Sequence, residues 1–355
     1  MKRKTVGLYT PYLDVMGGGE KHILSILKVF DEAGYNVVIF WNTNLSFDIQ
    51  NKLKLSFHNL RFDKDLRNMT FVEKAKKIAP LEWLFYVTDG SYFFSPAKQT
   101  AVFCMVPDKK LYHMSPINSI KTTNSHFIAN SHFTAQNLHS WGIRSSVLYP
   151  YISEELFQDT TPYKKPMILT VGRFFKHLHA KKQDKLIQSF LKFHEIHPEY
   201  ELVLAGGVKK EDEEYVEELK NAYRHHSVHF RTNISFSDLQ QLYKDASFYW
   251  HFTGLDIDPV THPYQVEHLG ITPLEAMASR AIPFCYNAGG PREIIDSGKN
   301  GFLFKSEYEL LQQMNYVINS SVLQTHLRES AYQFVHKSFR YNTFAHHVRK
   351  LFSIK

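Results

Sequence analysis

Residues 267–275 read EHLGITPLE, two glutamates eight positions apart around Gly270, Thr272 and Pro273. Thr272-Pro273-Leu274-Glu275 fits a helix start. Threonine is a good N-cap, and proline suits the first helical position, where its missing N–H costs nothing. Glu275 then falls at the third position and completes a T-x-x-E capping box. Glu267 stands upstream on the approach loop with Gly270. The stretch thus predicts a helix end that offers carboxylates and unpaired backbone N–H groups, and such an end attracts anions, phosphates above all. The plainer alternative is that Glu275 only caps a helix.

Outward from this motif the chain alternates strand and helix. TVGLYT, a glycine-rich turn MGGG, the helical GEKHILSILKVFDEAG and YNVVIFW form a βαβ unit. Apolar Ile23, Leu24, Ile26, Leu27 and Phe30 follow helical spacing to a stop at Gly34. Strands are expected at LEWLFYVTD, QTAVFCMVP, HFIANS and SSVLYP, with a helix over SHFTAQNLHSWG. DTTPYKKP, residues 159–166, reads as a linker. The alternation then restarts with PMILTVGR and runs through YELVLAGG, SVHFRT, SFYWHFT and AIPFCYN, with helices between them and a helix over PREIIDSG. The end, ESAYQFVHKSFRYNTFAHHVRKLFSI, reads as helical. This order predicts an α/β protein of two Rossmann-like, doubly wound domains facing a cleft. The expected bounds are 1–160, 161–335, and a helical segment 336–355 that returns to the first domain.

Composition narrows the function. With 43% hydrophobic and 22% charged residues over 355 positions, the chain has material for two cores and is not a disordered one. Cys104 and Cys285 lie in apolar runs without metal-finger spacing and read as buried free thiols. The net charge of +7 divides into +4 over residues 1–160 (18 basic, 14 acidic) and +3 over the rest (24 and 21). A nucleic-acid reader concentrates its charge in a patch, so no nucleic-acid partner is expected. No apolar run reaches membrane-spanning length, and the strand after MKRKT is too short for a signal-peptide core. The expected location is the cytoplasm, with peripheral membrane contact through Lys2, Arg3, Lys4, Lys74, Lys76 and Lys77.

Candidate site residues follow from charge and position. Arg173 stands at the carboxyl end of the second domain's first strand, and Lys181 or Lys182 at the next helix start. A guanidinium fork and an ammonium there suit a diphosphate, where the alternative is a solvated surface. MGGGEKH lacks both the dinucleotide spacing and the G-K-[ST] of a P-loop. HFTGLDIDPVTH offers His251, His262, Asp256 and Asp258 to a metal, but on a loop with no helix to fix them; no metal site is expected. Glu267 and Glu275 as a glycosidase pair would leave the cations unexplained.

Several segments together resemble one family. EHLGITPLEAM resembles the E-x7-E motif of the retaining, nucleotide-sugar-dependent glycosyltransferases of glycosyltransferase family 4, which have the GT-B fold. NAGGPREII with NGFLF, VGRFF…AKKQD, FIANSHFTAQNLHSWGI…VLYPYI and MGGGEKH resemble its other signature segments. The resemblance implies that Glu275 holds the donor ribose and that Glu267 sits beside the transferred sugar. It implies that Arg173 and Lys181 neutralise the diphosphate, with Lys182 the close alternative. Gly270, Ile271 and Thr272 would meet the donor at the helix start, and Gly17, Gly18 and Gly19 would line the cleft from the first domain. Many relatives carry a histidine where this chain has Met105; His113 is a candidate substitute.

The expected function is therefore a retaining hexosyltransferase acting from a UDP-, GDP- or ADP-sugar on a glycan or lipid-linked acceptor in polysaccharide assembly, with no cofactor beyond the nucleotide sugar. The rivals are a nucleotide-sugar epimerase or phosphorylase on the same fold, or a non-catalytic nucleotide-sugar-binding partner.

Overall fold

The structure is a computed structural model that describes residues 3–14, 16–157, 163–175 and 181–354. The chain divides into two compact units, residues 1–151 with 342–355, and residues 152–341.

The first unit holds seven strands: β1 Thr5–Tyr9, β2 Asn36–Phe40, β3 Leu60–Asp63, β4 Trp83–Tyr86, β5 Gln99–Cys104, β6 Ser125–Ala129 and β7 Ser145–Val147. They form one sheet in the order β3-β2-β1-β4-β5-β6-β7, parallel throughout. Helices cover a parallel sheet on both faces, so its central strands carry unbroken apolar runs, as NVVIF and TAVFC do here. The helix Gly18–Glu32 buries Ile23, Leu24, Ile26, Leu27 and Phe30, the positions its spacing marks. It ends at Gly34, whose φ of 83° only glycine adopts easily.

The second unit holds β8 Lys165–Val171, β9 Glu201–Gly206, β10 Val228–Thr232, β11 Ala246–His251, β12 Ile282–Tyr286 and β13 Phe302–Phe304. Their order is β10-β9-β8-β11-β12-β13, again parallel. Trp250, Phe248, Phe190 and Phe193 fill its core. The direction of winding reverses between β8 and β11, the point where such sheets bind ligands at their carboxyl ends.

Some elements carried no clear sequence signal. β3 and β13 are short edge strands, and the helices Ser46–Leu53, Phe71–Ile78, Pro116–Lys121 and Glu307–Ile318 were not anticipated. Residues 159–162 of the expected linker lie outside the described residues, and Lys165 and Pro166 already open β8. The helical end is two helices, Ser321–Ser338 and Tyr341–Leu351. Glu154 holds the break between them, accepting from Arg340 Nε at 2.9 Å and from the Tyr341 N–H at 3.2 Å. The units therefore change at 341/342 and 151/152, where the sequence suggested 335/336 and 160/161. Within the first unit Phe352 packs against Phe30, Trp83 and Phe85.

Candidate functional site

The helix of the opening motif runs Ile271–Ala278, two residues earlier than its sequence signals suggest. Gly270 is its N-cap, at φ 103° and ψ 61°, and no side chain caps it. The T-x-x-E capping box therefore does not form. A left-handed glycine starts the helix before Thr272, which becomes its second residue, and Pro273 takes the third place, where an N–H is still not needed. The Thr272 hydroxyl instead meets the buried Tyr249 hydroxyl at 2.7 Å. Glu275, freed from capping, accepts a hydrogen bond from the Tyr243 hydroxyl at 2.7 Å. Burial, then the adjoining Glu275 charge, pushes the Tyr243 phenol well above its ordinary range, so it stays a donor.

Glu267 receives two donors on one oxygen. Lys181 Nζ lies 2.7 Å and His251 Nε2 3.0 Å from its Oε2. Burial alone would raise the Glu267 carboxyl, but the Lys181 ammonium, followed by the hydrogen bond and field of His251, outweighs it and holds the group well below the carboxylate range. His251, 2% exposed, is itself lowered, first by burial and further by Lys181, against the opposing pull of Glu267. Since an ionised carboxylate only accepts, the His251 proton must sit on Nε2.

Glycines make these contacts possible. A Cβ on Gly172, just after β8, would stand 2.8 Å from Lys181 Cγ, so the lysine stem lies across a residue with no side chain. Gln183 Nε2 donates to the Arg173 carbonyl at 3.1 Å, tying the end of β8 to the helix Gln183–His194. The Arg173 side chain is exposed beside this junction. Lys182 is the N-cap of that helix at φ 54°; of the two neighbouring lysines, Lys181 is the one that reaches Glu267. Residues 176–180 of the same segment lie outside the described residues. In NAGGPREII, the Gly290 N–H donates to the Glu267 carbonyl at 2.8 Å. A Cβ on Gly289 would fall 2.1 Å from that carbonyl, and one on Gly290 2.2 Å from Leu269 Cα. The glycine pair is the backing against which the Glu267 loop lies.

Sequence reasoning missed the shelf beneath both glutamates. Tyr249 and His251 alternate along β11 and so share one face, their rings stacked 6.2 Å apart. With Tyr243 they hold Thr272, Glu267 and Glu275. The period-two pair Y-x-H at the end of an apolar strand was the available signal. His251, read from sequence as a metal candidate, belongs to Glu267 instead. In the loop beyond, the Asp258 carboxylate accepts from the Thr261 hydroxyl at 2.7 Å and from the Val260 N–H at 3.1 Å. Among the described residues no group of three His, Cys, Asp or Glu side chains is placed to hold a metal.

In the first unit, Gly18 and Gly19 open the first turn of their helix. The Glu20 carboxylate accepts from the Gly17 N–H at 2.9 Å. A Cβ on Gly19 would stand 2.5 Å from Met105 Sδ, so Met105 lies directly over the glycine turn. His113 is exposed on the loop before the helix Pro116–Lys121.

Comparison with known proteins places this arrangement. The alpha-1,3/1,6-mannosyltransferase of Dictyostelium discoideum is 25% identical over 298 residues, 70% of this chain and 69% of that protein. The human alpha-1,3/1,6-mannosyltransferase is 28% identical over 245 residues, 58% of this chain and 56% of its own length. In fold, a glycosyltransferase from Rickettsia africae aligns with a TM-score of 0.76 at 17% identity, over 99% of this chain and 98% of that one. The Anabaena protein HepE in complex with UDP aligns with a TM-score of 0.75 at 16% identity, over 99% and 100%. The two parallel-sheet units are thus those of the two-domain GT-B fold. No helix among the described residues is long and apolar enough to cross a membrane. The model of the family described as glycosyl transferases group 1 matches residues 152–334, more than half the chain and the whole of the Glu267–Glu275 site, and the chain belongs to that family of GT-B glycosyltransferases.

Proposed function

We propose that this glycosyltransferase is a retaining enzyme that moves a hexose from a nucleoside diphosphate to a glycan or lipid-linked acceptor in polysaccharide or glycolipid assembly. The observation that carries the reading is the Lys181–Glu267–His251 cluster at the carboxyl ends of β8 and β11. The mannosyltransferase names of the relatives support a hexose, and the UDP and UDP-glucose bound by Anabaena HepE support a nucleotide sugar.

In this reading Glu275 accepts from the ribose hydroxyls while Tyr243 holds its carboxylate. Lys181 has three N–H donors, so it can keep Glu267 and bind a phosphate oxygen at once. Arg173 adds a planar fork on the same diphosphate. As the bond from the anomeric carbon to the diphosphate oxygen breaks, negative charge grows on the leaving group, and fixed cations act most strongly there. Both donors to Glu267 fall on Oε2, which leaves Oε1 for a hydroxyl of the transferred sugar. The acceptor oxygen bonds to the anomeric carbon from the face the phosphate leaves, and its proton passes to that phosphate. Because Arg173 and Lys181 supply the positive charge, turnover should survive EDTA, and the enzyme should need no cofactor besides the nucleotide sugar.

A thermal-shift screen against UDP-, GDP- and ADP-sugars tests the reading. One nucleotide family should raise the melting temperature of the intact chain and not that of Glu275→Gln. No shift with any of them contradicts it.

A further inference from the structure

Tyr243 is held at both ends. Its hydroxyl donates to Glu275, and its carbonyl accepts from Lys164 Nζ at 3.2 Å. The same ammonium donates to the Lys244 carbonyl at 2.6 Å and to the Ser279 carbonyl at 2.5 Å. Tyr243 and Lys244 lie in the last turn of the helix Phe236–Asp245, and Ser279 is the C-cap of the helix Ile271–Ala278. Carbonyls at a helix end lack partners within the helix and carry the negative end of its dipole. An ammonium has three N–H donors, and here the three carbonyls take one each, from two helices at once. Ser279 stands one turn past Glu275, whose carbonyl accepts from the Ser279 N–H at 3.1 Å. Lys164, the residue before β8, thus joins the helix that carries Tyr243 to the helix that carries Glu275, across 79 and 115 positions of sequence.

The arrangement is costly. Burial, followed by Arg328 and more weakly Arg280, lowers the Lys164 ammonium to about 7 against the opposing pull of Asp245. An apolar side chain would join two helices without that cost. What it could not do is draw three carbonyls to one point, and the pair they fix is Tyr243 and Glu275.

We propose that Lys164 is a positioning residue for the nucleotide sugar: by gripping the ends of these two helices, it sets where Glu275 meets the ribose. The proposal rests on the reading that Glu275 holds the donor. Lys164 acts through Tyr243 and the Glu275 helix, so it governs donor affinity and leaves the chemical step alone.

Lys164→Met keeps the length of the stem and removes all three donors. UDP-glucose, GDP-mannose and ADP-glucose are titrated calorimetrically onto the intact chain, and the one that binds is used throughout. Lys164→Met, checked for native circular dichroism, should raise its Kd by about tenfold and change kcat by less than about threefold. In a Tyr243→Phe background the same change should cost less than about threefold in Kd, because a contact through which it acts is already gone. A residue that only stabilised the fold would lower the melting temperature and leave both Kd and that coupling unmoved. Should Lys164→Met not fold, Lys164→Gln, with two N–H donors, is read the same way. Native Kd in the variant, a kcat loss as large as the loss of affinity, or full additivity with Tyr243→Phe would each overturn the proposal. If none of the three nucleotide sugars binds the native chain, the donor reading falls and the positioning role with it. If one binds the native chain and Lys164→Met alike but not Glu275→Gln, the donor reading stands and only the role of Lys164 falls.

Discussion

The Tyr243 hydroxyl donates to the Glu275 carboxylate at 2.7 Å from a position with no solvent exposure. A contact of that kind fixes a side chain and does no chemistry. Tyr243→Phe removes one hydrogen bond to a charged group, so donor affinity should fall by about tenfold while kcat changes less. Titration calorimetry with the nucleotide sugar, next to steady-state kinetics, measures the split. Unchanged affinity would mean that Glu275 does not hold the donor.

Lys181 and Arg173 should matter most in the transition state. Lys181→Ala and Arg173→Ala are each expected to lower turnover by on the order of a hundredfold or more. Lys181→Ala should also shift a pH profile. With the ammonium gone, the Glu267 carboxyl loses the largest influence that lowers it, so its acid limb in kcat/KM should move to higher pH. An acid limb that stays in place would separate Glu267 from Lys181.

The glycine pair behind Glu267 gives a steric prediction. Gly290→Ala would put a methyl group 2.2 Å from Leu269 Cα, against backbone that cannot swing aside. Unfolding by urea should show a loss of about 2 kcal/mol or more, and transfer activity should fall further than stability because the Glu267 carbonyl loses its 2.8 Å donor. A native-like variant with full activity would show that the loop does not need this backing.

Much of the fold was legible because its signals are local. Ile23, Leu24, Ile26, Leu27 and Phe30 mark their helix by spacing alone, and the apolar runs of β2, β5 and β11 mark buried parallel strands. β3 and β13 escaped because three- and four-residue edge strands have too few positions to show a period. In the site, Glu267, Glu275 and Lys181 stood out as charges near expected element ends. Their supports did not, since Tyr243 meets Glu275 across 32 residues and His251 meets Glu267 across 16. The capping box failed for a related reason. A threonine before a proline is a helix-start signal, but Gly270 can turn the chain earlier and Tyr249 then claims the hydroxyl.

The first unit carries an acid-sensitive group. His22 is buried against Phe103 and Phe344, and its Nε2 has no hydrogen-bond partner. Burial lowers its pKa to about 3. An unfolded histidine titrates near 6.5, so between these values the unfolded chain holds a proton the native chain lacks. Stability then rises with pH across that window and is lost as pH falls below about 6.5, by up to roughly 1.4 kcal/mol per unit. Urea midpoints from pH 7 to 4.5 should drop accordingly, and His22→Leu should flatten the slope by about 1 kcal/mol per unit. An equal slope in the variant would rule out His22 as its source.

The stereochemistry of transfer is the most direct test of the proposed mechanism. Glu267, Lys181 and Arg173 gather charge at the carboxyl ends of β8 and β11, and in the proposed mechanism the departing phosphate is the base for the acceptor. Proton NMR of the product of a single transfer from an α-linked nucleotide sugar reads the outcome. The account predicts an α-linked product. A β-linked product would show inversion, require a general base that the account does not contain, and contradict the roles given to Glu267 and Lys181.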